Sequence, residues 1–572
     1  MNIKSKILTT CTFLSFCFTI ELKAQVMDFS NIKNAKKLTI TGGLNLNNLY
    51  NSYLPVNAQQ YSYFINGSVN FNILGLIDIP LNINYSNRQF SYSQAYSFNQ
   101  FSITPKYKWI TGYFGTTAMT FSPYTLNGHQ FSGVGFELVP GKWQISTMVG
   151  RLIKKTTDTT YNRMGYGLKV QFNQGKFRVG INFLHAADNP ASITANQLQI
   201  NGLRPQKNVV LGFEGGLMLP KIAQLDLEYS NSLIADNSGL ASVSQSGVAS
   251  LFFEGNGYVK SVSAIKAKLS KALFNAQTTV GLGYERVDPG YTTFGGYFFT
   301  DDFESYTVNL AQRLWGNKIS FSANVGTQHD LLDTKASGQD RLVVATNLVF
   351  TPNEKFNANV SFSTFKGYTY IRNLIKEVQR ASSLIPIDTL NYTQINRNFS
   401  TNVSYNFIQT ETKVQGISLN ASVMNAANKQ GEIIRQGQAS LVYNAQVTYN
   451  MGWPAKKLNI NVGYNYNLNA IGKNDVLVHG PTLIVQKSLL KEKLQIGLSV
   501  NALRSENRST QSPGISSILN ANFNASYGIS KKSKIVTSVL LLNNSDNSNQ
   551  QVVTTVLPAT IYTVNLGYNY QF

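Results

Sequence analysis

Residues 560–572, TIYTVNLGYNYQF, alternate between two kinds of side chain. One parity carries Tyr562, Val564, Leu566, Tyr568, Tyr570 and Phe572, and the other carries Thr563, Asn565, Gly567, Asn569 and Gln571. Alternation with period two marks a β-strand with one apolar and one polar face. The apolar face finishes in aromatic rings, which suits a strand whose greasy side meets lipid and whose end lies at a membrane interface.

The pattern recurs along the chain. Residues 38–50 set Leu38, Ile40, Leu44 and Leu46 against Thr39, Thr41, Asn45 and Asn47. KFRVGINF sets Phe177, Val179, Ile181 and Phe183 against Arg178, Gly180 and Asn182, and KLNINVGYNYNLN sets Leu458 to Leu468 against an almost pure asparagine face. Short Gly-, Pro- or Lys-bearing connections near Pro140, Gly175, Pro220, Gly316, Pro352, Pro454, Lys491 and Lys532 read as hairpin turns, and longer polar connections lie between them. One strand at 38–50, a series of hairpins and a last strand at 560–572 give about 26 strands, with 24 to 28 as the range. The expected fold is all-β: a transmembrane antiparallel up-and-down β-barrel. Closure satisfies every backbone amide and carbonyl where the bilayer offers no water. Barrels of this kind keep short turns on the periplasmic side and long loops outside, so the short set is assigned to the periplasm.

A final strand of alternating hydrophobics with a terminal aromatic resembles the assembly signal of outer-membrane β-barrels of Gram-negative bacteria. The resemblance covers the architecture of the mature chain and identifies no subfamily. It implies that Tyr568, Tyr570 and Phe572 are read by the barrel-assembly machinery and that the last strand closes against the first.

Lys4 and Lys6 precede an apolar run over 7–20, and Ala24 offers a small residue before Gln25. Residues 1–24 therefore read as a signal peptide, 25–37 as a short periplasmic arm, and 38–572 as a single barrel in the cell outer membrane. Both cysteines, Cys11 and Cys17, fall in the leader, which excludes disulfides and thiolate metal sites from the mature chain. No later apolar stretch is long enough for a spanning helix. Of 572 residues, 43% are hydrophobic and only 13% charged, as expected of strands with one lipid face and one wet, uncharged face. The formal charge is +21, and removing three lysines and one glutamate with residues 1–24 leaves +19. These charges are scattered, without the basic and aromatic clustering that nucleic-acid readers need; anionic lipid headgroups are the expected partner.

Charges on the lumen parity are Lys169, Arg178, Glu214, Asp226, Glu228, Lys266, Lys268 and Glu285. They read either as a selectivity path or as solvated positions of a wide wall. So wide a barrel needs something inside it. Residues 370–385 place Ile371, Leu374, Ile375 and Val378 at helical spacing, with Arg372, Lys376, Glu377 and Arg380 between them. A short amphipathic helix is expected in this long extracellular loop, folded inward, capping the mouth, or packed on neighbouring loops. The connections 186–208, 231–256 and 286–303 are further candidates for filling the lumen.

Trp109, Trp143, Trp315 and Trp453 fall beside short turns together with many lysines, including Lys142, Lys176 and Lys221. They are expected to anchor at the membrane interface. The arm at 25–37 is too short to serve as the plug domain of an energised receptor. Four histidines, His129, His185, His329 and His479, lack a nucleophile context, and no metal or nucleotide motif is present, so no cofactor and no enzymatic activity are expected. The expected function is a passive or gated porin-like conduit for polar solutes. The alternative is a barrel scaffold that partners a secreted or surface protein.

Overall fold

The computed structural model describes residues 36–53, 60–87, 99–155, 160–193, 204–236, 259–275, 277–297, 299–330, 340–368, 393–430, 433–434, 440–471, 474–508, 513–546 and 560–572. The expected leader and most of the arm at 25–37 therefore lie outside the described residues, as does the 370–385 segment.

Alternation of apolar and polar residues has one structural outcome here: a single sheet in which each membrane crossing bonds antiparallel to the next. The sheet contains 28 strand segments, two of which add no crossing. Gln100–Ile103 and Lys106–Tyr107 are one crossing, interrupted at Pro105, which has no N–H to donate. Ile433–Ile434 only extends the hairpin beyond Val414–Gln430. The result is a barrel of 26 strands.

Leu38–Asn51 closes the ring against Thr560–Gln571, with Leu44 opposite Tyr570, Asn45 opposite Asn569 and Leu46 opposite Tyr568. The Phe572 N–H donates to Gly42 O at 3.0 Å, and its ring meets that of Tyr570 edge-on at 5.3 Å. Register matters because a slip by one residue would turn every greasy side chain of the strand inward. On the outer face, Phe177, Val179 and Ile181 are 47%, 44% and 52% exposed, and Leu38, Val308 and Tyr464 behave alike. This band is the lipid surface, and a closed barrel wearing it is an outer-membrane protein.

The short turns near Pro140, Gly175, Gly316 and Lys491 fall at the end that holds Phe572, whose neighbour Gln571 donates to Lys532 O in another of them. Leu490, Lys491 and Glu492 turn there with φ of 52°, 52° and 71°, the left-handed region that hairpins need to match strand twist. Trp109, Trp143, Trp315 and Trp453 stand at this same end, Trp315 within a turn and 70% exposed.

The seam makes a direct prediction. Cysteines replacing Asn45 and Asn569, in a chain with Cys11 and Cys17 changed to Ser, face each other across about 4.5–5.5 Å between Cβ atoms, within the reach of a disulfide after small adjustment. Mild oxidation should cross-link them and leave an N45C/G567C pair free; cross-linking of the second pair but not the first would mean a different register.

Candidate functional site

Parity divides the barrel into an outer surface and a lumen, and the lumen is where this chain departs from a simple wet wall. Between the strands Ile110–Thr120 and Asn127–Leu138 the chain makes a tight excursion over 121–126; between Thr278–Val287 and Phe303–Leu314 it makes a longer one over 288–302. Both excursions contact inward-parity side chains, so both lie inside the ring. Their backbones join: Leu126 and Gly295 form a parallel bridge, and the Asn127 N–H donates to Gly295 O at 2.8 Å. The Thr293 hydroxyl donates to Thr125 O at 2.5 Å and the Tyr291 hydroxyl to Tyr124 O at 2.8 Å.

Apolar packing holds this pair of loops on the wall. Phe121, Leu126 and Phe294 form one core with the inward-facing Met119, Phe131, Met148, Leu152 and Ala186. Tyr124 and Tyr291 form a second with Val262, Ala264 and Val287, their rings edge-on at 6.2 Å. Leu126 and Tyr291 are 0% exposed. Small residues make the space: a Cβ on Gly167 would stand 2.7 Å from Phe121 Cε2, and one on Gly295 would stand 2.3 Å from Thr125 O and 2.8 Å from Leu126 Cα.

Charged groups complete the seat. Lys169, Glu214, Asp226, Glu228 and Glu285 lie on strands whose opposite parity carries exposed residues such as Leu168, Phe213, Leu227 and Leu282. Glu214, Glu228, Lys266 and Glu285 stand directly opposite one another across four adjacent strands. Lys169 pairs with Glu214 at 3.2 Å, Arg178 with Asp226 at 3.0 Å and Lys266 with Glu285 at 2.9 Å. Arg178 reaches Asp226 across an intervening strand because Gly216 lies between them and offers no side chain. The loops dock on these groups. The Lys169 ammonium donates to Phe121 O at 2.5 Å, and the Tyr124 hydroxyl donates to Glu285 Oε1 at 2.6 Å. Burial, then the Glu285 carboxylate, drives the Tyr124 phenol far up, and burial does the same to Tyr291, so both stay neutral donors.

Further contacts tie the longer loop down. The Phe294 N–H donates to Asn208 Oδ1 at 3.0 Å and the Ser232 hydroxyl to Thr292 O at 2.6 Å. Arg163 forks onto Asp188 at 2.7 and 3.0 Å and lays its guanidinium 3.5 Å from the centre of the Phe294 ring. Much of the lumen charge thus supports the loops rather than standing free in a channel. Truncating one member of the buried Lys169–Glu214 pair would leave the other uncompensated, at a cost of about 3–5 kcal/mol.

The opposite wall is different in kind. From Phe356–Tyr368 to Leu458–Ile471, inward amides and hydroxyls line a concavity of about 740 Å3 bounded by Asn359, Asn402, Asn420, Asn444 and Asn467 among others. Farther round, Asp78 accepts from Asn72 at 2.8 Å and from Asn70 at 3.2 Å.

Ile371, Arg372, Leu374, Ile375, Lys376, Glu377, Val378 and Arg380 lie outside the described residues. His129 stacks on Tyr297 at 4.1 Å and His185 on Tyr166 at 4.6 Å, while His479 shares a 2.6 Å hydrogen bond with the Tyr464 hydroxyl. Among the described residues no group of His, Cys, Asp and Glu is arranged to hold a metal ion. Tyr124 is the functional candidate that the sequence does not mark; Tyr291, Phe294 and Gly295 lie within the connection 286–303, which the sequence offers as a candidate for filling the lumen. The signal of the apolar seat is indirect: strands such as GHQFSGVGFEL carry Phe131 on the lumen parity besides Val134 and Phe136 on the lipid parity.

No protein-family model matches the chain, and no curated protein matches it. Among solved structures it is similar to the translocation pore of the P pilus usher PapC, at 10% identity over 93% of this chain and 99% of that one, with a TM-score of 0.44. It is also similar to the ferric enterobactin receptor PfeA of Pseudomonas aeruginosa, at 10% identity over 93% and 80% of the two chains and a TM-score of 0.42. The FrpB iron transporter of Neisseria meningitidis gives 11% identity, 95% and 83% coverage and a TM-score of 0.39. Likenesses at this level say nothing of what this chain carries.

The close approach at Gly295 yields a test. Gly295→Val must separate the two loops, because backbone atoms of Thr125 and Leu126 occupy the space its side chain needs. Freed from each other, the loops should leave the wall and raise single-channel conductance roughly twofold, as the open cross-section grows. Gly215→Ala, where an added Cβ meets only Leu227 Cβ at 4.0 Å, should leave conductance as it was.

Proposed function

We propose that this outer-membrane barrel is a passive, porin-like conduit for polar solutes, with a fixed internal constriction formed by 121–126 and 288–302. The observation that carries the reading is the seating of these loops inside the ring, where Tyr124 and Tyr291 are 2% and 0% exposed. Its choice between passive and gated rests on a magnitude. Lifting the loops would bare Phe121, Leu126, Tyr291 and Phe294, each worth about 1.5–3 kcal/mol of burial, or about 6–12 kcal/mol together. A swing of about 5.5 kcal/mol already separates a state populated one part in a hundred from its converse. Thermal motion therefore leaves the loops in place, and the free lumen beside them is the path.

The same reading gives the ring of turn lysines contact with anionic phospholipid, with Trp109, Trp143, Trp315 and Trp453 at headgroup level. Tyr568, Tyr570 and Phe572 serve as the signal for the barrel-assembly machinery. A scaffold for a secreted or surface protein is the competing reading, and conduction separates the two.

Purified protein in planar bilayers should give discrete, ohmic current steps of one amplitude that persist under moderate voltage. Steps that close and reopen through sublevels would replace the passive constriction with a gate. A stable membrane-inserted barrel passing no current would replace the conduit with the scaffold.

A further inference from the structure

The wall facing the free lumen is ordered in rows. Strand register places Ser361, Ser400, Ser422, Asn444 and Asn467 directly opposite one another across five adjacent strands. A second row runs Asn359, Asn402, Asn420, Gln446 and Asn465. Neither row contains an ionisable side chain. Past the barrel seam a third row, Asn569, Asn45, Asn66 and Asn84, repeats the chemistry.

Side chains within and between the rows hydrogen-bond to each other. Ser361 and Ser400 share a bond at 2.6 Å, the Asn444 amide donates to Ser422 Oγ at 3.2 Å, and the Asn347 amide donates to Asn359 Oδ1 at 3.0 Å. Asn402 donates to Asn420, and Asn467 to Asn444. Directly opposed residues bring their Cβ atoms within reach of such bonds. A carboxamide offers two N–H groups and two lone pairs, so a bond along the row spends part of this capacity and leaves the rest facing the lumen. The wall is consequently self-satisfied when empty and still able to donate and accept when a solute arrives.

We infer that these rows form a binding track for neutral, polyhydroxylated solutes, that is, uncharged oligosaccharides; the inference rests on the conduit reading above. A hydroxyl both donates and accepts, as a carboxamide does, and adjacent sugar hydroxyls match adjacent amides. Strands lie about 4.7–4.9 Å apart, close to the length of one pyranose ring, so a glycan laid along a row meets a fresh side chain at each unit. Strand tilt of about 35–45° makes the rows climb the wall obliquely, leading from one mouth toward the other. An anionic glycan finds no cation in the rows to replace lost hydration. An extended polypeptide would bring varied and charged side chains to a wall of uniform polarity, and is the less suited occupant.

Single-channel recording with the full mature protein tests this, using maltohexaose and hexagalacturonate of equal length as probes. Maltohexaose should block the current in a concentration-dependent way, with dwell times at least about tenfold longer than those of hexagalacturonate. Replacing Asn420, Asn444 or Asn467 by Ala should shorten the maltohexaose dwell about fivefold per side chain, as expected for one lost hydrogen bond. Asn420→Asp, which keeps the shape and adds charge, should shorten it as well. Channels that conduct salt but show equal dwell times for both probes, or longer ones for the anionic glycan or for a neutral unfolded peptide, would overturn the track and leave the conduit standing. Absence of any current would take both down.

Discussion

A polypeptide in hydrocarbon has no water to satisfy its backbone, and every other feature of this molecule follows from that constraint. With strands as the spanning element, each edge must find a partner, and the last free edge finds the first: Tyr568 and Tyr570 lie opposite Leu46 and Leu44. Closing so many strands creates the next difficulty, a lumen too wide to be harmless. Short excursions of the chain itself address it, anchored where inward-facing Phe131, Met148 and Leu152 convert part of a wet wall into an apolar seat.

The two walls of the lumen divide the work. On one side, ions are used at short range and in pairs, Lys169 with Glu214 and Lys266 with Glu285, and both pairs also hold a loop through Phe121 O or the Tyr124 hydroxyl. Such charges are poorly placed to select permeating ions, since their fields are already met. On the other side, the amide rows present no net charge and considerable hydrogen-bonding capacity. In the proposed conduit, asymmetry of this kind would direct a polar solute along one side of the lumen.

Much of the fold was legible in the sequence because its signal is local. Leu458 to Leu468 alternate against asparagines in the chain as they do in space, and hairpin turns announce themselves through residues such as Gly175 and Lys491. The parity of Lys169, Arg178 and Glu285, opposite to that of their apolar neighbours, is local in the same way. Their role was not, because it depends on distant partners: Arg178 meets Asp226 over Gly216, and Lys169 meets a carbonyl of a loop that lies 48 residues earlier. The excursion over 121–126 is too short to show any periodicity, and its docking partner begins more than 150 residues later at Asp288. The longer loop lies in the connection 286–303, legible as a lumen-filling candidate by its length alone, whereas helical spacing marks 370–385, a stretch outside the described residues.

In a closed ring with lipid outside and water within, accessibility alternates residue by residue along every strand. Single cysteines placed in turn along Leu458–Ile471, in a chain with Cys11 and Cys17 replaced and reconstituted in lipid, would be challenged with a charged, membrane-impermeant thiol reagent. The reagent should modify cysteines at Asn461, Asn465 and Asn467 and spare those at Val462, Tyr464 and Tyr466. Equal reactivity along the strand, or the opposite alternation, would contradict the closed ring.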